Sequence, residues 1–407
     1  MMTFPIKPAR RLLLSLTLPF AMAAGASAQT SAPPIWPFDA HVDVPDNFDS
    51  AAAPASREGN GQIDLPKIAR GGLKGAALAI FVPQEAETPE FLARARAAAD
   101  AKYAAIAGLA TRYPDRVAIA LTPAEARRIV AGGKFAVIEG VVNGGAFVDS
   151  LDDLDVWAKK GVRIFGFVHA GHNRLADSSR PALVRDEGPS RNGGLSPLGK
   201  AAVARLNQLG VLIDVSQLSD AAFADVLALS KAPVIATHSD IRAIVDNSRN
   251  LTDAQLDALK KNGGVIGINA FSAYLRPRDP AFAAKLKALE AEYGLTSESG
   301  ASLPPDKARD YDKRYHDLRE TEPKASVVDL VDAVDHAVKR IGIDHVALSS
   351  DFNHGGGIAG WADEGEAGNV TAELRRRGYS QADIAKLWSG NLLRVWGEAQ
   401  AAGARKS

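Results

Sequence analysis

Eight short apolar segments rich in β-branched residues recur along this 407-residue chain, and their recurrence restricts its fold more than any other feature. They cover 38–43, 75–82, 135–139, 163–169, 211–214, 233–238, 264–269 and 345–350. Most are continuously apolar rather than alternating, as strands of a parallel sheet covered on both faces must be. Helical periodicities lie between them, at 89–107, 152–160, 196–209, 219–230, 252–261 and 327–341. Ser196 and Pro197 supply an N-cap and first helical residue, and Gly263-Gly264 ends the helix before it. Alternation of this kind repeated eight times predicts an α/β fold, a (β/α)8 TIM barrel, rather than a doubly wound sheet. Residues 274–324 form a charged, helix-prone insertion between the seventh and eighth strands, broken at 297–305. It reads either as a solvated helical excursion or as a lid or homodimer contact over the strand ends.

The first 28 residues read as a cleavable export signal. Lys7, Arg10 and Arg11 precede an apolar run at 12–24, and Ala26-Ser27-Ala28 offers a small-residue cleavage site. The run is short for a membrane span. The expectation is therefore a periplasmic or secreted protein with no membrane anchor after cleavage, one catalytic domain at 29–400, and a tail at 401–407. The chain has no Cys, which excludes thiolate metal sites and disulfides. Its formal charge is zero, and removal of the three cations in 1–28 leaves 45 cations against 48 acids. No basic run suggests nucleic acid.

The chemistry-bearing residues stand at the C-terminal ends of these segments, where barrel enzymes keep their active sites. His41 and Asp43 sit two apart on one segment, so both side chains point the same way and can share a cation. Glu139 closes the apolar run from Phe135, and His238 closes the one from Ala232. A buried acid there is costly unless paired or bound to metal, although a structural ion pair is the plainer reading of Glu139. A satisfied core histidine is the plainer reading of His238 taken alone. Together these donors suit Zn²⁺ or a similar ion. Asp351 is placed to carry a proton, His169 to donate to a developing oxyanion, and Arg249 to pair with a substrate carboxylate. The default for a loop Arg is solvation.

The chain resembles the membrane (renal-type) dipeptidase family, peptidase family M19, within the amidohydrolase-like barrels. The resemblance covers nearly all of the chain after residue 28. It rests on Gly210-Val-Leu-Ile-Asp-Val-Ser-Gln, Ala232-Pro-Val-Ile-Ala-Thr-His-Ser, Arg249-Asn-Leu-Thr-Asp, Ile343-Asp-His-Val-Ala-Leu-Ser-Ser-Asp-Phe and Ser389-Gly-Asn-Leu-Leu-Arg-Val. It implies that His41, Asp43 and Glu139 hold one zinc ion and that Glu139 bridges to a second, held by His238. It implies that His169 and Arg249 contact the scissile carbonyl and the substrate carboxylate, with Asp351 shuttling the proton. The implied substrate is a dipeptide or similar small carboxylate. His169 is assigned over His172 because it keeps an eight-residue distance to Asp177.

The departure is Gln217, where the family has a second-zinc histidine. An amide oxygen is a much poorer zinc ligand than imidazole. Three readings stay open at this point. The chain is a two-metal dipeptidase using Gln217 or His172 as a ligand. Alternatively, it is a one-metal hydrolase or lyase of different specificity, acting on an ester, lactone or N-acyl compound. In the third reading it is a binding protein without catalysis. The cofactor expectation is one or two Zn²⁺, and Gln217→His is expected to move the metal content toward two.

Overall fold

The computed structural model describes residues 1–3, 5, 32–181, 187–295, 303–319 and 321–404. Most of the expected export signal, and residues 296–302 within the insertion, lie outside the described residues. Residues 1–32 and 33–407 form separate units, and the architecture below belongs to the second.

All eight expected segments form strands, and a ninth, of three residues, joins them. In chain order they are β1 (Phe38–Asp43), β2 (Gly75–Phe81), β3 (Val117–Ile119), β4 (Phe135–Val142), β5 (Ile164–Gly166), β6 (Leu212–Asp214), β7 (Ile235–Ser239), β8 (Val265–Asn269) and β9 (Val346–Ser349). The order is β1-β2-β4-β5-β6-β7-β8-β9, and every pairing is parallel. The unanticipated β3 pairs with Phe135–Val137 of β4, while β5 joins β4 further along, at Gly140 and Val141. The sheet closes just beyond β9, where Asp43 N donates to Phe352 O (3.0 Å) and Asp351 N donates to His41 O (3.1 Å). The result is the expected (β/α)8-type barrel, and its closing seam runs through two of the expected site residues.

Alternation along the strands separates two apolar regions. Phe38, Ala77, Ile138, Ile164, Leu212, Ile235, Val265 and Ala347 pack inside the barrel with Leu392 and Trp396 of the C-terminal helix Asn391–Ala404. That helix closes the N-terminal end of the barrel. It runs through Ala404, into the segment expected to be a tail from 401. The outward faces (Val42, Leu78, Val137, Ile213, Ile266) meet the surrounding helices in the larger cluster.

The helices start where capping chemistry predicts. Ser196 caps Pro197–Leu209, and Thr252 with Gln255 forms a capping box on Asp253–Asn262, which Gly263 ends in left-handed conformation. The insertion is helical as expected, with elements at Ser272–Leu275, Pro280–Glu292 and Pro305–Arg319. Among the described residues no helix is long and apolar enough to cross a membrane.

Candidate metal centre

Asp214, at the end of β6, lies beneath a short polar stack. Thr237 Oγ1 lies 2.5 Å from Asp214 Oδ2 and directs its proton there. The hydroxyl oxygen is then left to accept, and it faces His238 Nδ1 at 2.8 Å and His41 Nδ1 at 3.5 Å. These partners place both ring protons on Nδ1 and turn both Nε2 atoms toward the strand ends. The two imidazoles stack with centroids 3.9 Å apart.

Above them, His41, His238 and Asp351 present ligand atoms within 4.8 Å of one another. Asp43 Oδ2 lies 3.2 Å from His41 Nε2, and Asp351 Oδ1 lies 3.9 Å from it. A buried imidazole nitrogen and carboxylate oxygen this close must share a positive charge, either a proton on Nε2 or a bound cation. Burial opposes charge on His41, but hydrogen bonding to Asp43 and the charges of Asp43, Asp351 and Asp214 outweigh it, raising its pKa to about 9. Asp43 Oδ1 is buried with no partner. His41, His238 and Asp351 form a donor set that fits one divalent ion, with Asp43 beside His41, and the ion would take the His238 Nε2 lone pair that otherwise accepts from Gln217 Nε2. Asp351, expected as a proton carrier, thus also stands among the candidate ligands, with its Oδ2 accepting from Asn269 Nδ2 at 3.2 Å.

Glu139 is not part of this group. The register pairs it with Leu78, an outward-facing residue, so the inward positions of β4 are Ile138, Gly140 and Val142. Its carboxylate points toward Gly161, where an added Cβ would lie 2.5 Å from Oε2. Burial there lifts its pKa to about 7, against the opposing charge of Arg163. The expected bridging ligand is therefore an acid buried under the helical layer. The expectation failed because it ended the strand at Glu139, whereas β4 continues to Val142.

Gln217 is brought to the centre but not as an oxygen ligand. Its Oε1 accepts from Arg180 Nη2 (3.0 Å), which turns Nε2 toward His238 Nε2 at 3.1 Å. It follows β6 with φ 71°, and Asp351 follows β9 with φ 56°. Left-handed backbone at two non-glycine site residues is strain of the kind found at functional positions.

His172 is committed elsewhere. Its Nδ1 accepts from Ser178 N (3.0 Å), so Nε2–H donates to Gly188 O at 2.9 Å. It has no free nitrogen to replace Gln217. His169 does reach the site, lying against Phe81 and His354, with Nε2 3.2 Å from Arg180 Nη2. Burial and the charge of Arg180 keep it neutral, leaving Nδ1–H as its donor.

Arg249 is buried rather than solvated. Nη2 donates to His238 O (2.8 Å), the guanidinium lies 5.4 Å from the Tyr274 ring centroid, and Nε has no partner. Sequence reasoning missed Arg180, Thr237, Asp214 and His354, whose Nδ1 lies 3.8 Å from Asp43 Oδ2. Only His354 carried a signal, standing three residues past Asp351.

The family model described as membrane dipeptidase (peptidase family M19) matches residues 31–407. The probable dipeptidase PvdM from Pseudomonas aeruginosa is 46% identical, with a TM-score of 0.86 over 90% of this chain and 96% of that one. Dipeptidase tcpJ of Claviceps purpurea is 31% identical over 292 residues, 71% of this chain, and the match spans only 56% of that protein. A metallo peptidase from Rhodobacter sphaeroides, solved with a phosphinate mimic of L-Ala-D-Ala, is 24% identical with a TM-score of 0.70 over 90% of this chain and all of that one, a likeness of fold alone.

Proposed function

Since this chain belongs to the membrane dipeptidase family, peptidase family M19, we propose that it hydrolyses the amide bond of a dipeptide or similar small carboxylate after export from the cytoplasm. The observation that carries this reading is the convergence of His41, His238 and Asp351, with Asp43 against His41, beside the buried guanidinium of Arg249. Those four residues would hold one divalent ion, zinc by donor type. Bound there, the ion would supply Lewis acidity, lowering the pKa of water and polarising a carbonyl.

The chain's own groups divide the remaining work. Asp351, oriented by Asn269, takes a proton from the attacking water and passes it to the leaving amine. His169 Nδ1–H donates to the developing oxyanion. The unpartnered Nε–H of Arg249 gives it capacity to bind a substrate carboxylate. A one-ion centre also suits an ester, lactone or N-acyl substrate, and the orientation of Gln217 toward Arg180 favours keeping that second reading.

A panel of dipeptides, including ones with a C-terminal D-residue, tested beside ester and N-acyl compounds separates the two. At least one dipeptide is expected to be cleaved by zinc-loaded protein, and Asp351→Asn is expected to slow that cleavage by about 10²–10⁴-fold. Failure of every dipeptide would reject the lead reading, and full activity in Asp351→Asn would reject the proton role. Export rests on residues 1–28, and protein recovered from the periplasm is expected to begin at Gln29. An uncleaved chain confined to the cytoplasm would contradict it.

A further inference from the structure

Arg180 is held in place by its own backbone. Ser179 N donates to Gln217 O (2.8 Å), Arg180 N to Ser178 Oγ (3.0 Å), and Gly171 N to Arg180 O (2.7 Å). Ser178 also bridges to Leu218, so this segment is zipped onto the loop after β6. The side chain is thereby directed over the site, where one nitrogen, Nη2, meets both His169 Nε2 and Gln217 Oε1. Those are two acceptor atoms, from two strand ends, directed at one positive group.

Among the described residues, the same space lacks what a second metal ion needs. Gln217 turns an amide N–H rather than a lone pair toward His238, and Glu139 faces the helical layer. The inward positions at the end of β4 are Gly140 and Val142, which offer no ligand. A guanidinium stays protonated at any working pH and cannot dissociate from the protein. It would repel a divalent ion placed between residue 217 and His238.

Resting on the proposed metal-dependent reading, we propose that the Arg180 guanidinium is the second cation of this centre, in place of a second metal ion. The centre is then one exchangeable ion plus one fixed organic cation. Arg180 Nε is buried without a partner, and the residue borders a cavity of about 540 Å³ shared with Asn247, Phe271 and Tyr274.

The test is zinc stoichiometry, measured without substrate by elemental analysis and equilibrium titration. The proteins compared are the wild type, Gln217→His, and Gln217→His combined with Arg180→Glu. One equivalent is expected in the wild type and in Gln217→His, because restoring the imidazole leaves the guanidinium in place. The double variant removes the fixed charge and adds a carboxylate, so a second equivalent is expected. Two equivalents in the wild type or in Gln217→His would overturn the proposal, as would a single equivalent in a double variant that melts cooperatively. If the double variant does not fold, the first two proteins still decide. No zinc in any of them would bring down the metal reading and this one together. Loss of dipeptide hydrolysis with these stoichiometries intact would reject only the substrate reading.

Discussion

Glu139 and its neighbour Gly140 differ in facing opposite sides of the sheet. The carboxylate sits beneath the helices with one oxygen unpartnered and its pKa raised to about 7 by burial, opposed by Arg163. A raised acid binds its proton more tightly when folded. Its favourable contribution is complete below the unfolded value of about 4.5 and is lost as pH rises through 7. Glu139→Gln removes the charge without changing the shape. The variant is expected to be more stable than the wild type above pH 7, by about 2 kcal/mol, and to retain its zinc. Equilibrium unfolding at pH 5 and pH 8 checks this, and loss of zinc would return Glu139 to the metal site. His41, Asp43, His238 and Asp351 were legible because each stands at the C-terminal end of an apolar, strand-like run. The facing of Glu139 was not, because a strand buried on both sides shows no alternation from which to read phase. The reversal at Gln217 was also hidden, since its amide is oriented by Arg180, a residue 37 positions earlier.

Helix starts were legible for a local reason: capping joins residues three apart, as Thr252 and Gln255 show. The strand β3 was missed because its place depends on β4 being long enough to hold two neighbours on one edge, which nothing in the local sequence shows. The close approach of β8 to β7 likewise leaves no trace in local sequence. A Cβ at Gly267 would lie 2.2 Å from Thr237 O. Backbone cannot yield there without moving Thr237, whose hydroxyl orients both imidazoles. Gly267→Ala is expected to cost about 2–3 kcal/mol of stability and to weaken zinc binding at least about tenfold, since a 1 Å displacement at a built site has effects of that order or larger. Thermal unfolding and zinc titration read the two effects separately. A destabilised variant with unaltered zinc affinity would show that the Thr237 contact does not position the ligands.

At the scale of the molecule, the ends of several strands supply one site, and the closing seam of the barrel brings residues 41–43 beside 351–352. The alternation of strand-like and helix-like segments along the chain carries this plan. The role of the C-terminal helix is not written in the same way, because its apolar face is explained only by the open end of the barrel that it covers. Ion binding to a centre assembled from such distant segments must stabilise the whole fold. Zinc at 100 times its dissociation constant should add about 2.7 kcal/mol to unfolding, raising the melting temperature. A melting temperature insensitive to zinc would mean that the four candidate ligands do not meet in solution.

The most direct test is to titrate zinc into metal-free protein while following dipeptide cleavage and bound metal in the same samples. The account predicts that cleavage is absent without metal, rises in proportion to occupancy, and reaches its plateau at one equivalent. Cleavage by the metal-free chain, or none at full occupancy, would contradict it.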